Sequence, residues 1–219
     1  MARFWRFSIA LLFVTTAVLM TGPVIAQQPD AWKSCVNSAK APPDVQISGC
    51  TAVIQSAKDS PTNLAIAYYN RGLAYHTKDN VNLAIADYTE AIRLNPNDAY
   101  AWNGRCLSRA VAKQLQQALT DCNQSLRLMP NQPSIFDSRG FTYLKLGELD
   151  FAIADYNSAL KLNPKIASSL FGRGVAKQKK GDAAGGAADI DAAKLIKADI
   201  AQELGRYGVA QMNFLSCCE

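Results

Sequence analysis

The chain has one histidine, His76, among its 219 residues. A Ser-His-Asp or Cys-His nucleophilic site would have to use it, because such a site needs an imidazole base beside the nucleophile. His76 stands near the end of a helical segment, which points to a surface or groove role. The run Gly181-Asp182-Ala183-Ala184-Gly185-Gly186 is glycine-rich. It lacks the Lys-Ser/Thr ending and the preceding strand of a phosphate-binding loop. Asn123-Gln124-Ser125 matches a glycosylation sequon but falls mid-helix and is read as accidental. Six cysteines occur without a Cys-x-x-Cys motif or metal-ligand spacing. The expectation is a protein that is not an enzyme, with no cofactor, no metal and no small-molecule substrate.

One set of charges is organised. Arg71, Arg105, Arg139 and Arg173 precede Asp87, Asp121, Asp155 and Asp189 by the same interval each time. Four copies of one active site are not expected in a chain of this length. The constant spacing predicts a ladder of structural arginine–carboxylate pairs within or between repeated units. The competing reading is a row of arginines facing an acidic ligand.

The elements that position these charges recur at a fixed period of about 34 residues, within the range of helical-hairpin repeats. Tyr68-Tyr69-Asn70-Arg71-Gly72 returns around Trp102-Asn103-Gly104-Arg105-Cys106, Phe136-Asp137-Ser138-Arg139-Gly140 and Phe171-Gly172-Arg173-Gly174. A second word follows each: Ala84-Ile85-Ala86-Asp87-Tyr88, then Ala118 to Cys122, Ala152 to Tyr156 and Gly186 to Ile190. Such a period signals a stack of supersecondary units. Apolar residues within each unit recur at three and four spacings, the helical period. The first unit reads as helices near Asn63 to Thr77 and Val81 to Leu94, with Lys78-Asp79-Asn80 as the turn. Pro96, Pro130 and Pro164 close the first three units, since proline cannot continue a helix. Small residues hold three offsets: Gly72, Cys106, Gly140 and Gly174; Ala84, Ala118, Ala152 and Gly186; Ala91, Ser125, Ala159 and Ala193. They allow two helices to approach closely while large residues flank them.

These offsets identify the unit: it resembles the tetratricopeptide repeat, a helix–turn–helix, from residue 65 to about residue 198. The resemblance implies an all-α, right-handed superhelical solenoid of antiparallel helix pairs. Its units fall at 65–98, 99–132, 133–166 and 167–198, preceded by a degenerate hairpin at 27–64. Residues 199–219 are read as a solvating cap helix, Asp199 to about Gln211, and a tail. Ile200, Leu204 and Tyr207 form the expected inner face of that helix. In the degenerate hairpin, Cys50-Thr51-Ala52-Val53-Ile54 overlays Cys122-Asn123-Gln124-Ser125-Leu126.

Cys106 and Cys122 occupy offsets at which the family usually has a small residue and an aromatic facing each other. Cys35 and Cys50 hold nearly the same two offsets in the degenerate hairpin. The expectation is one disulfide per hairpin, against the alternative of four buried thiols. Residues 1–26 read as a secretory signal: Arg3 and Arg6, an apolar run from Ser8 to Met20, and cleavage after Ala26. An uncleaved anchor is the rival; after cleavage no stable membrane span is expected. Loss of Arg3 and Arg6 lowers the net charge from +5 to +3, too little to suggest nucleic acid.

By family offset, the concave groove presents Tyr69, Leu73, His76, Tyr100, Asn103, Leu107, Asp137, Phe141, Lys145, Phe171 and Gln178. The offsets at which some members clamp a terminal carboxylate hold Tyr69, Leu73, Gly104, Ser134 and Ser138, so that clamp is absent. The resulting expectation is a periplasmic or secreted scaffold of the exported bacterial type, binding a partner protein or peptide in its groove. The alternative is a structural envelope component that associates through its surface or ends.

Overall fold

The computed structural model describes residues 31–36, 41–56 and 59–210. The signal segment with Ala26 and the Cys217-Cys218 pair lie outside the described residues. Eleven helices and no strand occur among the described residues. They are α1 (Ala31–Val36), α2 (Pro43–Ser56), α3 (Pro61–Thr77), α4 (Val81–Leu94), α5 (Ala99–Val111), α6 (Leu115–Leu128), α7 (Pro133–Leu146), α8 (Leu149–Leu162), α9 (Ala167–Lys179), α10 (Ala183–Ile196) and α11 (Ile200–Arg206). Neighbouring helices pair in order, and the first helices α3, α5, α7 and α9 also pack side by side. The architecture is an all-α solenoid of helical hairpins.

Local chemistry sets the boundaries. Ser60 caps α3 by accepting from the Asn63 amide, and Pro61 opens the helix where its missing N–H costs nothing. The helix therefore starts ahead of the expected Asn63. Asp98 and Asp182 cap α5 and α10 in the same way. Each inner turn closes on a residue with positive φ: Asp79, Lys113, Gly147 and Gly181. The following amide bonds back to the preceding turn of helix, as in Asn80 N to Tyr75 O, Gln114 N to Arg109 O and Glu148 N to Tyr143 O. This is the left-handed helix stop that satisfies the last carbonyls and reverses the chain.

Packing follows the small offsets. Tyr88 of α4 is 2% exposed and lies against Gly72 of its own unit and Gly104 of the next. A Cβ at Gly104 would meet the ring at 2.5 Å, well inside contact distance. Tyr156 of α8 stands between Gly140 and Gly172 in the same manner. The tyrosine is thus a knob shared by two units, with one glycine hole in each.

The arginine–aspartate pairs run along the stack. Arg71, Arg105, Arg139 and Arg173 each give Nε and Nη2 to the two oxygens of Asp87, Asp121, Asp155 and Asp189, at 2.6 to 2.9 Å. Each Nη1 reaches the preceding unit, donating to Thr51, Thr89, Asn123 and Asn157 respectively. The charges join hairpins to one another. Asn123, the sequon residue, is engaged in this ladder. Arg109 adds a further bond to Asp121, and Lys177 one to Asp189. Burial alone raises the Asp189 carboxyl, but its bonds to Arg173 and Lys177 outweigh that and hold it below the usual carboxylate range.

The cap departs from expectation. The helix runs only from Ile200 to Arg206, not to about Gln211. Gly208, at φ 81°, stops it with the same backbone motif as the inner turns: Val209 N to Leu204 O and Gly208 N to Gly205 O. Ile200 and Leu204 are buried as expected, while Tyr207 is half-buried and reaches beyond the end unit.

Candidate functional site

The first helices line the inner side of the solenoid, and a cavity of about 450 Å³ opens there. His76 of α3, Leu107 of α5, Asp137 and Phe141 of α7, and Ser168 and Gly172 of α9 form one wall. The opposite wall comes from the C-terminal segment, through Glu203, Leu204, Arg206, Tyr207 and Val209. This segment crosses the groove. The Tyr207 ring lies 5.9 Å from the His76 ring, and its carbonyl accepts a 2.6 Å bond from Lys145 Nζ. Val209 is buried in the core that contains Leu144 and Val175. The short α11 is long enough to complete the end of the stack, and Gly208 then redirects the chain inward.

The expected groove residues divide into three groups. His76, Leu107, Asp137 and Phe141 border the cavity directly. Tyr69, Leu73, Tyr100 and Asn103 belong to the N-terminal part of the inner face. Tyr69 leans on Tyr88 at 5.9 Å, and burial raises its phenol pKa, with Asp98 adding to the effect. Leu73 is half-buried and Tyr100 is exposed; Gln132 donates to the Tyr100 hydroxyl at 2.9 Å. Asn103 keeps its Oδ1 buried without a hydrogen-bond partner among the described residues.

The third group corrects the offset-based expectation. Phe171 is 0% exposed and Gln178 3%, so neither presents an open surface, while Phe141, 5% exposed, is mostly core. Phe141 and Phe171 belong to the core that Ile200 and Leu204 of α11 complete. Lys145 lies over the Phe141 ring at 5.4 Å and is engaged by the Tyr207 carbonyl. The C-terminal segment packs on this part of the inner face. Gly208 was the readable signal for this, since a glycine so soon after the start of a cap can stop it early.

Electrostatics single out two groups. His76 is half-buried, and its Nδ1 lies 3.0 Å from Ser108 Oγ. Burial lowers its pKa while nearby Asp79 pulls the other way, so the imidazole is biased to the neutral form. Asp137 accepts from Ser168 Oγ at 2.9 Å and Ser169 Oγ at 2.5 Å. Burial pushes its carboxyl pKa up, and the two hydroxyl bonds only partly counter that. His76 bonds a serine of the next first helix, and no carboxylate orients its ring among the described residues. Ser108, the hydroxyl partner of His76, is 0% exposed, so this serine–histidine contact reads as packing between first helices. No group of metal-ligating side chains gathers among the described residues.

The fold and groove define a helical-hairpin repeat scaffold. Residues 65–98 match the tetratricopeptide repeat family, and residues 142–181 match a second model described as a TPR repeat. The chain carries tetratricopeptide repeats. No curated protein matches it. Among solved structures it is similar to MamA residues 41 to the end from Desulfovibrio magneticus RS-1, with TM-score 0.61 and 17% identity over 77% of this chain and 92% of that one. It is also similar to the first TPR of Spaghetti (RPAP3) bound to the HSP90 peptide SRMEEVD, with TM-score 0.52 and 23% identity over 56% of this chain and 96% of that one. A third is the Arabidopsis OM64 TPR domain, with TM-score 0.52 and 23% identity over 55% and 99% of the two chains. At these identities the likeness is one of fold.

Proposed function

We propose that this chain is an exported, non-catalytic scaffold that binds a segment of a partner protein in its concave groove. The observation that carries the reading is the cavity between the first helices and the C-terminal segment. It combines apolar walls at Leu107 and Tyr207 with polar groups at His76, Asp137 and Ser168. A concave site of this size with a few convergent polar groups suits one or two side chains of a peptide, the rest lying along the inner face. The similarly folded first TPR of Spaghetti holds a peptide, which supports the reading by analogy of fold.

The envelope assignment rests on chemistry. Cys35 and Cys50 have their sulfurs 2.07 Å apart, and Cys106 and Cys122 1.93 Å apart, both at disulfide distance. Two such pairs in one small domain favour an oxidising compartment. The N-terminal signal and a periplasmic or secreted location belong to this proposal, as do the unit boundaries at 65, 99, 133 and 167. No helix of the described residues is long and apolar enough to cross a membrane.

The test uses the purified full chain in cross-linking capture from cell envelope, with Tyr100→Ala and Leu107→Ala as groove variants. Tyr100 is 42% exposed; Leu107 borders the cavity and also packs against the core. The expected result is loss of the captured protein in both variants, with an unchanged melting curve for Tyr100→Ala and a lowered one for Leu107→Ala. An unchanged capture would overturn the groove reading. It would favour association through the end of the stack, where Leu195 is 89% exposed on α10.

A further inference from the structure

Asp137 differs from the other aspartates that face a neighbouring helix. Asp87, Asp121, Asp155 and Asp189 each hold a guanidinium. Asp137 holds two serine hydroxyls, from Ser168 and fully buried Ser169, and pairs with no cation among the described residues. It borders the groove cavity together with Leu107, Phe141 and Gly172. A carboxylate withdrawn from water without a counter-charge is costly, and an incoming cation relieves that cost. Two other acids border the cavity, Asp199 and Glu203; Lys197 pairs with Glu203 and feels the charge of Asp199. The Tyr156 ring fills the space that a Cβ at Gly172 would take, and it borders the cavity as well.

We propose that the groove cavity receives a lysine or arginine side chain of the partner, with Asp137 as its counter-charge. The cavity walls match the two parts of such a side chain. Leu107, Phe141 and Leu204 would sheath an aliphatic stem, and Asp137 would meet the charged head. The two serine hydroxyls fix the carboxylate in place before binding, so little ordering is needed when the cation arrives. The partner is therefore a basic peptide segment, in contrast to the acidic peptide of the Spaghetti structure.

This inference rests on the groove reading and specifies its ligand. The test is selection from a displayed library of random hexapeptides against the full chain, followed by titration of one selected peptide. The expected outcome is a lysine or arginine at a fixed position of the selected peptides. Replacing it by norleucine or citrulline should weaken binding about tenfold or more, the scale for a hydrogen bond to a charged group. Asp137→Asn, which keeps an acceptor for Ser168, should lose the same factor and should bind the citrulline peptide no worse than the unaltered chain does. Selected peptides without a basic position, or a basic position indifferent to Asp137→Asn, would overturn the inference and leave the groove reading standing. Failure to select any peptide would overturn both. Should the Asn variant not fold, the citrulline and norleucine replacements on the unaltered chain decide the matter alone.

Discussion

Units one and three solve a packing problem that the degenerate hairpin and unit two solve differently. In units one and three a tyrosine of the second helix, Tyr88 or Tyr156, fills the space between two hairpins. In the other two, cysteines stand at that offset, Cys50 and Cys122, each at disulfide distance from a cysteine of its own first helix. The next unit has adapted in each case. Opposite the tyrosines stand Gly104 and Gly172, whose Cβ atoms would overlap the rings. At the same offset after the cysteines stand Asn70 and Ser138, both buried. The array thus alternates a shared aromatic knob, which couples two units, with a cystine, which closes only one. A knob gains from burying a large ring between hairpins. A cystine gains by restricting the unfolded hairpin, and leaves the junction to the next unit to smaller side chains and the arginine ladder.

The largest expected effect comes from removing a knob. Tyr156→Ala should cost about 3–5 kcal/mol, the range for truncating a buried aromatic, because it opens a void against both Gly140 and Gly172. Replacing Cys106 and Cys122 together by alanine should cost less, up to about 3 kcal/mol for a loop of this size. Denaturant unfolding of the two variants measures both. Intact mass of the unaltered chain, alkylated before and after reduction, checks that the pairs are closed. If the cystine variant proves the costlier, the knob is not what couples the units.

The register between units gives a sharper test of intermediate size. Cys106→Gly with Cys122→Tyr converts unit two to the tyrosine design, but the new ring should meet Ser138 where Tyr88 meets Gly104. Overpacking of this kind costs about 1–3 kcal/mol. Adding Ser138→Gly should recover most of that loss. The same Ser138→Gly in the unaltered chain should be neutral to mildly destabilising, through lost side-chain packing and helix propensity. A triple variant no more stable than the double would break the correspondence between knob and hole.

Much of this pattern was legible because it repeats. The repeat period, the constant arginine–aspartate spacing and the cysteine offsets all report contacts between neighbours in sequence, and such contacts recur in every unit. The overlay of Cys50-Thr51 on Cys122-Asn123 had a consequence that the spacing alone did not show. Thr51 and Asn123 each accept the third arm of the next unit's arginine. The groove was less legible because its occupant is not periodic. Tyr207 meets His76 from the far end of the array, a contact with no counterpart in the other units. Phe141, Phe171 and Gln178 occupy offsets that face a groove in an open array; here the two phenylalanines share a core with the returning segment, and Gln178 lies against Gly186 of α10. Ser168 and Ser169 could not be linked to Asp137 from sequence, because their hydroxyls approach it only through the packing of α9 on α7.

The smallest expected effect tests whether the alternation extends to the turns. The residue that reverses the chain inside each unit is Asp79, Lys113, Gly147 and Gly181 in turn, all with positive φ. Glycine adopts this backbone freely, and other L-residues pay about 1 kcal/mol or more for it, aspartate less than lysine. Lys113 therefore marks the most strained turn, and it belongs to the unit whose hairpin the cystine closes. Lys113→Gly should stabilise the chain by about 0.5–1 kcal/mol, after subtracting the greater freedom of glycine in the unfolded state. The gain should be larger in the Cys106, Cys122 double-alanine background if the cystine holds the strained turn in place. Equal gains in the two backgrounds, read from unfolding midpoints, would show that turn strain and cystine act independently.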